Sequence, residues 1–413
     1  MPFRPRLSPT PWQAFRKIMS GENILEGVMA VHKPQGITSA DVLRDLQKHF
    51  NPSKSFAPWL AEARTQRDQQ NKNQGRQQRR RREKKIEVKI GHGGTLDPLA
   101  TGVLITGIGK GTKHLQDFLS CTKSYETIIT FGAETDTYDR LGKIVRRAPY
   151  EHVTRDAVEK ALAQFRGKIM QKPPIFSALR VNGKKLYEYA REGKMPPIEI
   201  KHRPVETLEV EVVEWYDPGT HEYKWPETEM TGEEKVIAEK LLDQEATLSA
   251  ETETEAEAGG DVNASSTSTK RKLSPPAAEE VKEDTVDATK KVKVSETEAA
   301  SVPASAPEPV APEPATAEVP VESADEPRPQ PPACKIKMTV TSGFYVRSLA
   351  HDLGKAVGSC ALMSELVRTR QGEYDLQPDR ILEYKDLESG EEVWGPKVER
   401  LLTDWAKKQA DKE

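Results

Sequence analysis

One acid stands alone in the stretch KIGHGGTLDPLATGVL, Lys89 to Leu104. Asp97 is followed by Pro98, flanked by Leu96 and Leu99, and preceded by His92 and by glycines at 91, 93 and 94. The two leucines would partly desolvate its carboxylate, and such a group can serve as nucleophile or base. To stay ionised it needs an opposite charge, which an arginine distant in sequence can supply. The glycines let a large ligand approach the backbone. The plainer alternative is a turn aspartate capping its own backbone, common before proline. The residues alone leave both readings open. They do exclude a phosphate cradle. GIGKGTK, Gly107 to Lys113, has Leu104 where a nucleotide loop needs its first glycine and Gly111 where it needs Ser or Thr. GHGGTL has Leu96 in place of the third glycine of a dinucleotide fingerprint. His92 and His114 lack partners at metal-ligand spacing, so chemistry without a metal is expected.

Elements on both sides must hold this loop. GVMAVHKPQGITS, Gly27 to Ser39, reads as a buried strand, a Pro-Gly turn and a helix N-cap at Thr38 or Ser39. ADVLRDLQKHF continues as a helix with Val42, Leu43, Leu46 and Phe50 on one face. HLQDFLS reads as helical, SYETIITF as a strand, and VTRDAVEKALAQFRG as an amphipathic helix capped by Thr154. PPIFSALRVNGKKLYEYAREG carries a Val-Asn-Gly turn and a short helix with Tyr187 and Tyr189. HRPVETLEVEVVEWY and CKIKMTV alternate as strands, and SLAHDLGKAVG reads as a helix.

The chain has 413 residues, 36 % hydrophobic, with a formal net charge of -3. That small charge hides an asymmetry. Glu227–Ala333 holds 25 acids against 10 bases, and the other 306 residues hold 52 bases against 40 acids. A basic body with an acidic insert suits a nucleic-acid binder. No apolar run is long enough for a membrane span. Three scattered cysteines, Cys121, Cys334 and Cys360, argue against a disulfide framework. The expected organisation follows from these shifts. Residues 1–26 form a flexible extension, basic like a mitochondrial presequence but proline-rich. Residues 27–216 form the first part of a folded domain, interrupted at 51–87 by a flexible basic insertion containing Arg79–Arg82. Residues 217–333 form a disordered acidic insertion, with basic clusters at Lys270–Lys272 and Lys290–Val294 that suit a nuclear address. Residues 334–385 complete the domain, and 386–413 form a tail.

Five motifs, in order, resemble the TruB-type tRNA pseudouridine synthases: GVMAVHKPQGITS, GHGGTLDPLATGVL, KSYETIITFGAETDTYD, PPIFSALRVNGKKLYEYAREG with RPV, and GFYVRSLAHDLG. The GHGGTLDP form and the insert before it resemble the eukaryotic enzymes acting on tRNA uridine 55. The resemblance implies an α/β (α+β) fold with a mixed, largely antiparallel sheet and flanking helices. It implies that Asp97 is the catalytic aspartate, Tyr125 a stacking tyrosine, and Tyr345 and Arg347 the pocket tyrosine and the arginine paired with the aspartate. Leu366 matches an apolar pocket residue, more loosely aligned. His92 matches a histidine that fills the space left by the flipped uridine, and Lys33 a structural lysine. The implied partner is the T-arm of tRNA, with mRNA sites as a further substrate. The implied enzyme is a monomer that needs no membrane, cofactor or obligate protein partner; the basic clusters and the basic N-terminus point to the nucleus and the mitochondrion. Many bacterial relatives carry a C-terminal PUA domain; nothing after Arg380 reads as one, so basic surfaces are expected to supply RNA affinity. Two rivals stand beside this reading: a T-loop-binding RNA chaperone and a guide-dependent rRNA pseudouridine synthase.

Overall fold

The computed structural model describes residues 24–72, 85–174, 176–177, 179–191, 200–232, 235–236, 238–239 and 330–411. All of them belong to one of the chain's two compact units, which joins Met1–Thr247 to Pro329–Glu413. In chain order its elements are β1 (Gly27–Lys33), α1 (Ser39–Phe50), α2 (Ala57–Lys72), β2 (Ile90–His92), β3 (Thr101–Ile108), α3 (Leu115–Ser120), β4 (Lys123–Phe131), β5 (Ala133–Thr135), β6 (Ile144–Arg147), α4 (Arg155–Leu162), β7 (Gly167–Gln171), β8 (Arg180–Val181), β9 (Lys184–Lys185), α5 (Leu186–Arg191), β10 (Arg203–Tyr216), β11 (Ala333–Val340), α6 (Val346–Ala356), β12 (Ala361–Gln371), β13 (Tyr374–Asp375), β14 (Ile381–Glu383) and α7 (Glu391–Ala410).

A ten-stranded sheet runs β14-β1-β3-β12-β4-β11-β10-β7, with β2 added to β3 and β13 to β12. Among its paired strands in the described residues, β1–β14 and β3–β12 are parallel and the other pairs antiparallel. The mixed, largely antiparallel sheet expected from the resemblance is therefore present. β10 and β11, which flank the acidic insertion in sequence, are direct neighbours, Val210 opposite Met338. A long insertion at such a place costs little extra closure entropy. The main core packs α1, α6 and α7 against the sheet through Val42, Leu46, Phe50, Leu349, Leu353, Trp394 and Val398. No helix among the described residues is long and apolar enough to cross a membrane.

Four expectations change. Residues 51–87 are not a flexible insertion throughout, because α2 occupies Ala57–Lys72. Its start is fixed by Phe56 and Leu60, both buried, and by Glu391 of α7, which accepts from Ser55 N and Oγ, both at 2.7 Å. With its large apolar residues, Trp59 and Leu60, gathered in its first turn, a polar helix leaves almost no periodic signal. The 386–413 tail is likewise part of the core. Trp394 of α7 lies 5.0 Å from Phe50, which stacks on Phe56 at 4.4 Å. Order also runs on beyond 217. Trp225 Nε1 donates to Phe131 O at 2.8 Å, and Thr228 O and Met230 N bond the two sides of Ile144 at 2.9 and 2.8 Å. Finally, ALMSELVRTRQ is the long central strand β12, for which no strand was expected. Its charged positions conceal it, since Arg368 is buried among carbonyls. The expectations for 1–23, for Arg79–Arg82, and for 240–329 with its two lysine clusters lie outside the described residues.

Candidate functional site

The edge of β3 that faces away from β1 is divided between two neighbours. Its first residues pair with β12, Thr101 opposite Val367, and its last with β2, Thr106 opposite His92. The loop carrying Asp97 leaves β2 and returns at the start of β3, so it lies where these two pairings part. Several anchors hold it there. Ser39, the first residue of α1, accepts from Leu96 N at 2.8 Å and donates to Leu96 O at 3.0 Å. α1 is itself fixed by a reciprocal cap in which Asp41 N donates to Thr38 Oγ1 at 3.1 Å and Thr38 N to Asp41 Oδ2 at 2.9 Å. Lys33 is fully buried, and its Nζ donates to Ala100 O at 2.6 Å and Pro34 O at 2.9 Å. From β12, Arg368 donates to Val103 O at 2.7 Å and to Gly94 O at 3.3 Å, and Gln371 to Gly93 O at 2.5 Å. β3 and β12 approach so closely that a Cβ on Gly102 (φ +106) would lie 2.3 Å from Arg368 O. The glycines of GIGKGTK serve packing too: a Cβ on Gly111 would lie 1.8 Å from Gly27 O.

Asp97 opens into a cavity of about 310 Å³. Tyr125 of β4, Tyr345 and Arg347 at the start of α6, and Leu366 of β12 line it with Asp97. The structure thus brings together five of the six residues singled out from sequence. His92 stands two residues before Gly94 and is not among the lining residues. Its Nδ1 is buried without a hydrogen-bond partner, and burial, then the Arg368 charge, push its pKa below the usual value. A larger cleft, about 660 Å³, lies between Arg140–Gly142 and Glu222–Thr228 and holds none of the six.

At the cavity floor Arg347 Nε meets Asp97 Oδ2 at 2.9 Å. The carboxylate is 34 % exposed and the guanidinium 7 %, so the acid faces the cavity and its counter-charge is held behind it. Arg347 also donates to Thr137 O at 3.0 Å and Phe176 O at 2.9 Å, and lies 3.9 Å from Asp139 Oδ2. A planar fork can satisfy several fixed acceptors at once, which an ammonium cannot. Burial pushes Asp139 above the ordinary carboxylate range, with Arg347 opposing. Burial lowers Lys33 to about 8, with Asp97 opposing. Behind α6, Glu134 bonds Arg146 Nε at 2.7 Å and lies 3.3 Å from His351 Nδ1. Burial alone would raise Glu134, but His351 and Arg146 together hold it at about 2. His351 stacks on Tyr138 at 4.0 Å, next to Asp139.

Residues 79–229 match the TruB family pseudouridylate synthase N-terminal domain. Over 366 residues the chain is 36 % identical to tRNA pseudouridine synthase 4 of Schizosaccharomyces pombe, spanning 87 % of this chain and 82 % of that one. The chain belongs to the TruB family. This TruB enzyme is also 32 % identical over 386 residues to tRNA pseudouridine synthase 4 of Saccharomyces cerevisiae, spanning 92 % and 86 % of the two chains. It is 40 % identical over 203 residues to pseudouridylate synthase TRUB1 of Mus musculus, spanning 49 % and 53 %. As a member of the family it is an isomerase that makes pseudouridine.

Sequence reasoning on this TruB enzyme missed four residues that shape the site. Asp139 ends the KSYETIITFGAETDTYD motif, in which only Tyr125 was given a role. Arg368 and Gln371 belong to the strand that was not recognised. Gln171, at the end of β7, accepts from Tyr345 N at 2.7 Å and donates to Tyr345 O at 3.0 Å, fixing the backbone of the pocket tyrosine. Nothing in the local sequence of Gln171 signals that contact.

Proposed function

We propose that this enzyme isomerises uridine 55 in the T-loop of tRNA to pseudouridine, with Asp97 as the catalytic group. The observation that carries the proposal is the Asp97–Arg347 pair at 2.9 Å, facing a cavity walled by Tyr125, Tyr345 and Leu366. The names of the yeast relatives, which specify tRNA, support the substrate class. A uridine stacked in an RNA loop must be flipped out before its glycosidic bond can be reached. The tyrosine rings offer stacking surfaces, and Leu366 an apolar wall. Asp97 attacks C1′ as the C1′–N1 bond breaks, the uracil turns, and a C1′–C5 bond forms as the Asp97–C1′ bond breaks. The proton leaves C5 and one is gained at N1, so the reaction is a net isomerisation. Arg347 holds Asp97 in line throughout. His92 takes the space of the extruded base as a neutral plane.

The same reading extends to uridines in mRNA loops of similar shape, to a monomer acting without a protein partner, and to work in nucleus and mitochondrion. The deciding experiment uses the purified chain on an unmodified tRNA transcript. Pseudouridine at position 55 is expected without any guide RNA. Dependence on a guide RNA would favour the rRNA-type enzyme. Refolding of tRNA with no modification would favour the chaperone. A fluorescent fusion confined to a single compartment would refute the dual location.

A further inference from the structure

Several buried polar atoms in the described residues have no hydrogen-bond partner, among them Ser177 Oγ, Thr207 Oγ1 and Ser359 Oγ. Of these atoms, only Ser177 Oγ belongs to a residue lining the Asp97 cavity. A buried hydroxyl left unpaired is destabilising, so each such atom calls for a partner or a reason. Three other polar side chains of the wall, Arg368, Lys123 and Thr341, are already engaged. Arg368 donates to Gly94, Thr95 and Val103 carbonyls, and Lys123 to Leu119 O and Cys121 O at 2.7 and 2.6 Å. Thr341 Oγ1 bonds at Glu206.

Ser177 is also held in a defined place. Arg347 Nη2 grips Phe176 O at 2.9 Å while its Nε grips Asp97 at 2.9 Å. One guanidinium therefore sets both the carboxylate and the residue next to the unpaired hydroxyl. We infer that the Ser177 hydroxyl binds the imide edge of the flipped uracil, a role that rests on the uridine reading above. The chemistry suits a hydroxyl. When uracil turns about the axis through N3 and C6, N1 and C5 change places, and so do O2 and O4. N3–H stays on the axis. A hydroxyl can accept from N3–H, or donate to whichever carbonyl flanks it, both before and after the turn. The base keeps one anchor while its glycosidic bond is absent.

The test compares wild type, Ser177→Ala and Ser177→Cys on one T-loop hairpin, made with uridine or with an abasic site at the target. Cysteine fills the same space with a weakly hydrogen-bonding thiol. Both variants are expected to slow single-turnover pseudouridine formation by roughly 3- to 10-fold, the range for one lost hydrogen bond. Their affinity for the abasic hairpin should stay within about twofold of wild type, since that RNA lacks the edge being bound. An undiminished rate in Ser177→Cys overturns the assignment. So does a loss of abasic affinity as large as the loss of rate, which would mark Ser177 as merely structural. Wild type that makes no pseudouridine on this hairpin and binds both forms alike overturns the uridine reading, and this assignment with it.

Discussion

At the scale of single residues, one guanidinium carries the greatest burden. Arg347 meets a carboxylate and two backbone carbonyls in three directions, with a second carboxylate at 3.9 Å. Arg347→Lys should therefore not be conservative. It keeps the charge but cannot reach Asp97, Thr137 and Phe176 together. A fall of roughly 100-fold in single-turnover rate is expected, with a native circular dichroism spectrum. Asp97→Asn removes the attacking group without changing its size. Pseudouridine formation should fall by roughly 1,000-fold or more while tRNA affinity is kept within a few-fold, read by gel shift. Glu134 gives a pH signature. Its folded value of about 2 lies below its ordinary 4.5. The stabilisation is thus present above pH 4.5 and lost as pH falls from there toward 2, to the extent of about 3 kcal/mol. Urea titrations across that range should show the loss in wild type and a flatter profile in Glu134→Gln, which starts less stable. A matching slope in the variant would assign the acid sensitivity to other groups.

At the scale of elements, legibility followed amphipathicity. The helix α1 and the strand β4 announce themselves by period, and the GHGGTLDP loop by its composition. α2 and β12 do not. α2 has a polar majority and is held by two buried residues and by Glu391 from the far end of the chain. β12 is a central strand whose arginine is neutralised by carbonyls rather than by solvent, so its pattern reads as surface. The last helix was misjudged because a short terminal segment has no partner in its own sequence. Its partner is the Phe50–Phe56 pair of another segment. Trp394→Ala should accordingly cost about 3–5 kcal/mol, the range for a fully buried tryptophan, measured by urea unfolding. A loss under about 1 kcal/mol would restore the view of this helix as an appendage.

At the scale of the molecule, β10 and β11 are neighbours although the chain between them is long. Contacts among the described residues continue to Ala238, which packs with Tyr138 and Val145, and resume at Gln330, which donates to Tyr223 O at 3.3 Å. The limits of a harmless deletion are thereby set. Replacing 240–329 by a short Gly-Ser linker should leave turnover within about twofold and raise stability slightly, since a shorter loop closes more easily. Deleting 227–333 instead should destabilise the fold, because it removes the Thr228 and Met230 bonds to Ile144. Equal behaviour of the two deletions, by activity and thermal melting, would refute this boundary.

The sequence by itself determined the chemistry-bearing loop, the order of motifs and the need of Asp97 for a distant positive charge. Those follow from local composition and period, which act over a few residues. Only the tertiary structure shows that Arg347, the arginine implied by the resemblance, meets Asp97, and at what distance. It alone revealed Asp139 behind that pair, Gln171 on the tyrosine backbone, and Ser177 unpaired in the cavity wall. Each of those depends on strands brought together across more than 100 residues of chain, and no local pattern encodes a contact of that kind.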